Sequence, residues 1–350
     1  MQVRETLENQ NNMVYMGDLY IGSPAQAIRA IFDTGSANPW ILSKTARAEH
    51  SFDQTKSTTF KDPSTKQWTS IHFGSGTLRG YFASDTVLLG DPQNTEHALT
   101  LPSWNFGLVT ENSVFDKSFD AIIGMAYKEF AEEGVTPFFE ALRSSGKLAK
   151  EMHSWYLSLN PDDQSEIMMG GWNEDRFRKE LLVWHPVVNK RFWAVKLDDI
   201  KVNGVSTGFC TRTGANCTIA PDSGTSLLTF PQKALTEFNQ QYGDSVDCSE
   251  SEFTSFPDLV YVIRGVEYRV PPHHWIDRTV SKADSTQGTC KSNVKSLDTE
   301  YEGIEEMFIL GDAFMQLFYT IHDAEHDRVG FAPAIHNHTE VLKVYDTADQ

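Results

Sequence analysis

Ala30-Ile31-Phe32-Asp33-Thr34-Gly35-Ser36 is answered 189 residues later by Thr218-Ile219-Ala220-Pro221-Asp222-Ser223-Gly224-Thr225. In both stretches a short apolar run leads into Asp, a hydroxyl residue, Gly and a second hydroxyl residue. Each copy also has a downstream companion. Ala121-Ile122-Ile123-Gly124 ends 91 residues after Asp33, and Phe308-Ile309-Leu310-Gly311 ends 89 residues after Asp222. A lone Asp-Thr-Gly is ordinarily a capped turn. Two copies, each followed at nearly equal spacing by apolar residues and a glycine, make an internal repeat, and a repeat outranks any single motif. The chain reads as a duplicated lobe whose halves meet about a pseudo-twofold axis. The Ile/Leu-Gly companions carry no chemistry of their own and are expected to pack beneath the Asp loops.

Strand signals surround both copies. Apolar or alternating runs recur between turn residues at Met13 to Ile21, Ala27 to Phe32, Trp68 to Phe73, Thr77 to Leu89 and Leu259 to Val270. Ile21-Gly22-Ser23-Pro24 and Lys201-Val202-Asn203-Gly204 read as hairpin turns. Helices are few. Thr136 caps one that has Pro137 at its first position and runs to about Lys147; Pro231 opens another that stops near Gly243. The expected class is mostly β, with a first lobe over 1–185, a second over 186–335 and a tail over 336–350.

Composition narrows the function classes. Of 350 residues, 48 are acidic and 30 basic, a net charge of −18 that argues against nucleic acid as a partner. With 40% apolar and 12% aromatic residues the chain can bury a sizeable core. No run approaches the roughly 20 apolar residues of a membrane span. Met1 to Asn12 is polar and lacks the apolar stretch of a signal peptide, so a secreted form would have lost that segment. Cys210, Cys217, Cys248 and Cys290 allow three pairings, of which the sequence-adjacent one is simplest; four free thiols in a cytosolic protein are the rival. Their spacing matches no zinc pattern. The triplets Asn216-Cys217-Thr218 and Asn337-His338-Thr339 hint at secretion. Eleven histidines, among them His273-His274 and His322 with His326, are expected to be solvated, with no metal and no cofactor.

Two Asp loops at a twofold axis bring two carboxylates face to face. Like charges at contact distance cannot both ionise, so the pair holds one shared proton over a window of acidic pH. One Asp can then draw a proton from a water while the other protonates the carbonyl that the water attacks. Gly35 and Gly224 permit a tight turn and a close approach to the opposite loop. Ser36 and Thr225 can hydrogen-bond the outer carboxylate oxygens. Serine-nucleophile chemistry is a poorer account, because no nucleophile-elbow pattern is present.

From about Leu7 to Pro333 the sequence resembles the pepsin-like aspartic proteases. The matching segments are Ile31 to Ser36 with Trp40, Phe119 to Tyr127, Asp222 to Ser226, Ile309 to Asp312, and Val329 to Pro333. The resemblance implies two β lobes joined by a shared sheet, a cleft for polypeptide substrates, and a monomer. It also implies synthesis as a zymogen inhibited by its own prosegment, sensitivity to statine-type inhibitors, and a place in the secretory pathway, in an acidic vesicle or outside the cell. The family's flap matches Ile71 to Thr77, where Gly74 and Ser75 would hold the substrate as an added strand. Ile31, Phe73, Phe119 and Ile122 would line the pocket before the cut, Phe192 would serve the side after it, and Ser226 would touch substrate. Trp184 and Trp193 are expected to be structural.

Four departures stand out. Phe73 takes the place of the usual flap tyrosine, Asn38-Pro39-Trp40 replaces Asn-Leu-Trp, Pro221 precedes the second Asp, and Ser43 to Phe52 lacks the first-lobe cysteines. Such departures resemble the plasmepsin group. The alternative class is a pepsin-fold peptide-binding protein with weak or no catalysis, but this chain keeps both Asp-x-Gly cores.

Overall fold

Every second residue of strand Gln26–Asp33 turns inward, with Ile28, Ala30 and Phe32 each no more than 1% exposed. That alternation is the signature of a strand with one buried face. The computed structural model describes residues 1–46, 51–73, 76–112, 119–160, 162–213, 217–243, 245–280, 287–296 and 307–336. Gln26–Asp33 pairs with Val14–Ile21 across a tight turn at Gly22, whose φ is +86°. On its other side it runs parallel to Ala121–Gly124, with Asp33 opposite Gly124. Trp40–Leu42 returns antiparallel to that same strand.

The second half repeats the arrangement. Thr218–Pro221 runs parallel to Met307–Leu310, and Leu228–Phe230 pairs antiparallel to it. The spacing of about 90 residues is therefore the length of chain between two parallel neighbours. The repeated glycines have a packing reason as well. A Cβ on Gly124 would lie 2.3 Å from the Ala37 backbone, and one on Gly311 would lie 2.2 Å from Leu227 O. Both glycines sit directly under an Asp loop.

The halves share a sheet. Its strands lie in the order Val3–Gln10, Ser165–Met169, Met152–Tyr156, Phe318–Asp323, Arg328–Pro333, Val183–Asn189. Within this sheet the halves meet where Met152–Tyr156 pairs with Phe318–Asp323, and every residue of both strands is buried. A lobe boundary at residue 185 falls inside strand Val183–Asn189, which belongs to this shared sheet.

Several expectations shift in detail. The run Leu259 to Val270 is two strands, because Arg264 and Gly265 take φ of 50° and 78° and fold it into a hairpin. The first helix begins at Phe138, not Pro137, since Pro137 keeps an extended ψ of 151° and sits outside as the cap residue. The second spans Gln232–Tyr242 with Pro231 again outside, and the Gly243 N–H closes it on Asn239 O. Cys210 is bonded to Cys217 and Cys248 to Cys290, so the free-thiol alternative falls. The histidines depart most. His322 and His274, expected in solvent, are buried, as are His153 and His185. No helix among the described residues is long and apolar enough to cross a membrane.

Candidate active site

The two Asp loops meet, and each holds its carboxylate in the same way. Gly35 N–H donates to Asp33 Oδ1 at 2.9 Å, and Gly224 N–H donates to Asp222 Oδ1 at 2.8 Å. The Ser36 hydroxyl donates to Asp33 Oδ2, and Thr225 Oγ1 donates to Asp222 Oδ2 at 2.7 Å. The glycines show how close the halves come. A Cβ on Gly35 would lie 2.4 Å from Asp222 Cγ, and one on Gly224 would lie 2.3 Å from Asp33 Oδ1. Each carboxylate therefore rests against the backbone of the opposite loop.

Underneath, two residues left without a role by the sequence reading lock the loops together. Thr34 N–H donates to Ser223 Oγ at 3.1 Å, and Ser223 N–H donates to Thr34 Oγ1 at 3.0 Å. Thr34 Oγ1 donates to Pro221 O at 3.1 Å, and Ser223 Oγ to Phe32 O at 2.6 Å. Both side chains are nearly inaccessible to solvent. The signal was present in the repeat, because a hydroxyl follows the Asp in both copies. Pro221, the unexpected proline, serves here through its carbonyl, which needs no N–H.

Electrostatics set the pair apart from surface carboxylates. Burial raises the Asp33 carboxyl above its ordinary range, and the Asp222 charge beside it raises it further; the Ser36 and Gly35 donors oppose both. A third carboxylate stands close by. Asp312 is 1% exposed, its Oδ1 lacks a partner among the described residues, and its N–H donates to Thr225 O at 2.8 Å. Burial first, then the charges of Asp222 and Asp33, push it well above the ordinary carboxylate range.

The proposed pocket residues are brought together unevenly. Ile31 and Ile122 are register neighbours, and Phe119 is half-buried just before that strand. Phe73 ends strand Trp68–Phe73 opposite Gly76, at the tip of the hairpin; Gly74 and Ser75 lie outside the described residues. Trp40 is buried, its ring 5.5 Å from that of Phe82. Phe192, the residue expected on the side after the cut, is 3% exposed, and its ring centroid lies 4.4 Å from that of Phe130. Ser226 donates to Met13 O, tying the second Asp loop to the first hairpin of the chain. Trp193 is structural: buried, with Nε1 donating to Met125 O at 3.1 Å. Among the described residues, one group could bring three metal-ligand atoms together, Asp323 with Glu325 and His326. Its Asp323 Oδ2 is already held by Arg328 Nε at 2.7 Å and His326 Nδ1 at 2.9 Å.

Residues 14–334 match the family model for eukaryotic aspartyl protease. The chain is similar to pepsin A of Sus scrofa, 33% identical over 342 residues that cover 94% of this chain and 83% of the relative. It is also similar to pepsin-2B of Gadus morhua, 32% identical over 345 residues covering 95% and 100% respectively. Pepsin A of Rhinolophus ferrumequinum is 31% identical over 344 residues, covering 95% and 84%.

Proposed function

The chain belongs to the eukaryotic aspartyl protease family, and on that premise we propose that Asp33 and Asp222 share one proton and together activate the water that cleaves a peptide bond. The chain is an aspartic endopeptidase acting on polypeptides. The observation that carries the dyad is the reciprocal seating of each carboxylate against the opposite Asp-x-Gly loop. The ionised Asp takes a proton from water as the oxygen attacks the carbonyl carbon. The protonated Asp gives its proton to the carbonyl oxygen, so no free oxyanion forms. The C–N bond then breaks: the Asp that took the water's proton gives it to the departing amine, and the other Asp takes back one hydroxyl proton as the carbonyl re-forms, which restores the singly protonated pair. Gly35, Gly224, Ser36 and Thr225 hold the four carboxylate oxygens by donors, which fixes their direction before substrate arrives.

Denatured protein at moderately acidic pH, with and without a statine-type inhibitor, tests this reading. Cleavage that the inhibitor stops and EDTA leaves alone is expected. An inhibitor-insensitive cleavage, or none at all, would favour the peptide-binding alternative. The two disulfides support an oxidising compartment, in the secretory pathway, an acidic vesicle or outside the cell. Inhibition by a prosegment and action as a monomer complete the proposal.

Ile31, Phe73, Phe119 and Ile122 form the proposed pocket before the cut, over which Gly74 and Ser75 hold the substrate strand. Each methylene buried there is worth about 0.8 kcal/mol, so large apolar residues are expected to dominate that position in a cleaved peptide library. A library led by Lys or Asp would contradict the pocket. Phe73 closes over substrate by apolar contact, without the hydroxyl bond of a flap tyrosine. In a pocket adapted to phenylalanine Phe73→Tyr introduces an unpaired hydroxyl, which costs about 1–3 kcal/mol, so turnover is expected to fall by roughly 5- to 150-fold. A clear rise in turnover would show that the pocket has not adapted to phenylalanine. Phe73→Ala is expected to be worse than either, because an open lid admits water.

A further inference from the structure

His153 and His322 face each other as register partners across the seam where the two halves of the chain share a sheet. Their rings stack with 4.5 Å between centroids and 20° between planes, and both side chains are fully buried. Trp155 Nε1 donates to His153 Nδ1 at 2.9 Å, so the proton of the neutral His153 ring sits on Nε2. That Nε2 and both nitrogens of His322 have no hydrogen-bond partner among the described residues. Other rings flank the pair. Phe139 lies 4.6 Å from His153, and Trp193 lies 4.9 Å from His322.

The charged groups on the surrounding elements are committed elsewhere. Arg143 holds Glu140 at 2.8 Å and Glu151 at 2.7 Å, and Arg328 holds Asp323 at 2.7 Å. Glu166 accepts from Asn173 at 2.8 Å and faces Arg4 and Arg176, while Lys190 holds Asp327 at 2.6 Å. Arg191 lies over the Phe130 ring. A positive charge on either imidazole would find aromatic rings and a second imidazole where it needs an acceptor.

We propose that this stack is an acid-operated latch: neutral, it packs the shared sheet together, and protonation of either ring drives the pair apart and loosens the joint between the halves. Burial holds His153 down at about 3, and burial together with the neighbouring imidazole holds His322 well below its ordinary value. The sign follows from linkage. An unfolded chain takes both protons near pH 6.5, and the folded stack takes neither, so stability is intact above that pH and is lost as pH falls toward about 3. Each imidazole changes the unfolding equilibrium up to about tenfold per pH unit across the window. The latch does not rest on the catalytic reading; it sets an acid limit to whatever the site does.

His322→Phe keeps a flat ring in the stack, removes its two unpartnered nitrogens and leaves the Trp155–His153 bond in place. Urea unfolding is followed from pH 7 to pH 4 in an Asp222→Ala background, which keeps self-digestion out of the measurement. The substituted chain is expected to match its parent at pH 7 and to lose stability about tenfold less steeply per pH unit. Parallel losses in the two chains would overturn the latch. Should His322→Phe fail to fold, hydrogen-exchange protection of the unsubstituted stack decides. Amides of Met152–Tyr156 and Phe318–Asp323 are expected to lose protection between pH 7 and pH 5 before those of Gln26–Asp33. A seam that stays protected while the lobe strands exchange would overturn the proposal equally.

Discussion

Replacing Asp33 by Ala is expected to reduce peptide hydrolysis by on the order of 10⁴-fold or more, since one remaining carboxylate cannot serve as base and acid in the same step. Asp222→Ala is expected to do the same. The fold should survive both changes, because each removes one of two carboxylates that repel each other at a buried site. Melting temperatures within a few degrees of the parent would separate lost chemistry from lost structure. Asp33→Asn sharpens the test. Its side-chain oxygen can still accept from Gly35 N–H, and its NH2 can donate to the Ser36 hydroxyl in place of the bond Asp33 Oδ2 accepts, but it cannot ionise. Equal inactivity of Asn and Ala would place the effect in proton transfer. Recovery of turnover by Asn alone would place it in positioning.

Gly35→Ala is expected to be the next most damaging change, although it removes no functional group. The added methyl would lie 2.4 Å from Asp222 Cγ and 2.5 Å from Asp222 Oδ1. Ordinary contact needs about 1 Å more, and neither loop has room to retreat because Thr34 and Ser223 clamp them from below. A displacement of about 1 Å at reacting groups costs roughly 100-fold in rate, and overpacking a buried site costs about 1–3 kcal/mol of stability. Turnover should therefore fall about 100-fold with a measurably lower melting temperature. Wild-type turnover in Gly35→Ala would mean that the carboxylates do not need the observed contact.

The repeat made most of this site legible before any coordinates. Asp33, Asp222, their glycines and the outer hydroxyls follow from two short motifs and an equal spacing, because a duplicated lobe must bring its copies together at the axis. The clamp of Thr34 and Ser223 was harder to see, since it joins residues 189 positions apart. The buried histidines were misread for a different reason. Alternation identifies a strand with one wet face, as in Gln26–Asp33, but Met152–Tyr156 and Phe318–Asp323 are buried on both faces. On such a strand a histidine gives no warning of its surroundings.

The pH dependence of kcat/KM on a single peptide tests the shared proton most directly. Initial rates taken within seconds of transfer to each pH keep acid unfolding at the histidine seam out of the measurement. In the proposed mechanism the singly protonated pair is the working form, so activity is gained as one carboxyl ionises and lost as the second does. A bell is expected. Its upper limb should lie above the ordinary carboxylate range, because burial and the Asp222 charge keep the Asp33 proton in place as pH rises. A profile that climbs into alkaline solution without a descending limb would contradict the two-carboxylate account.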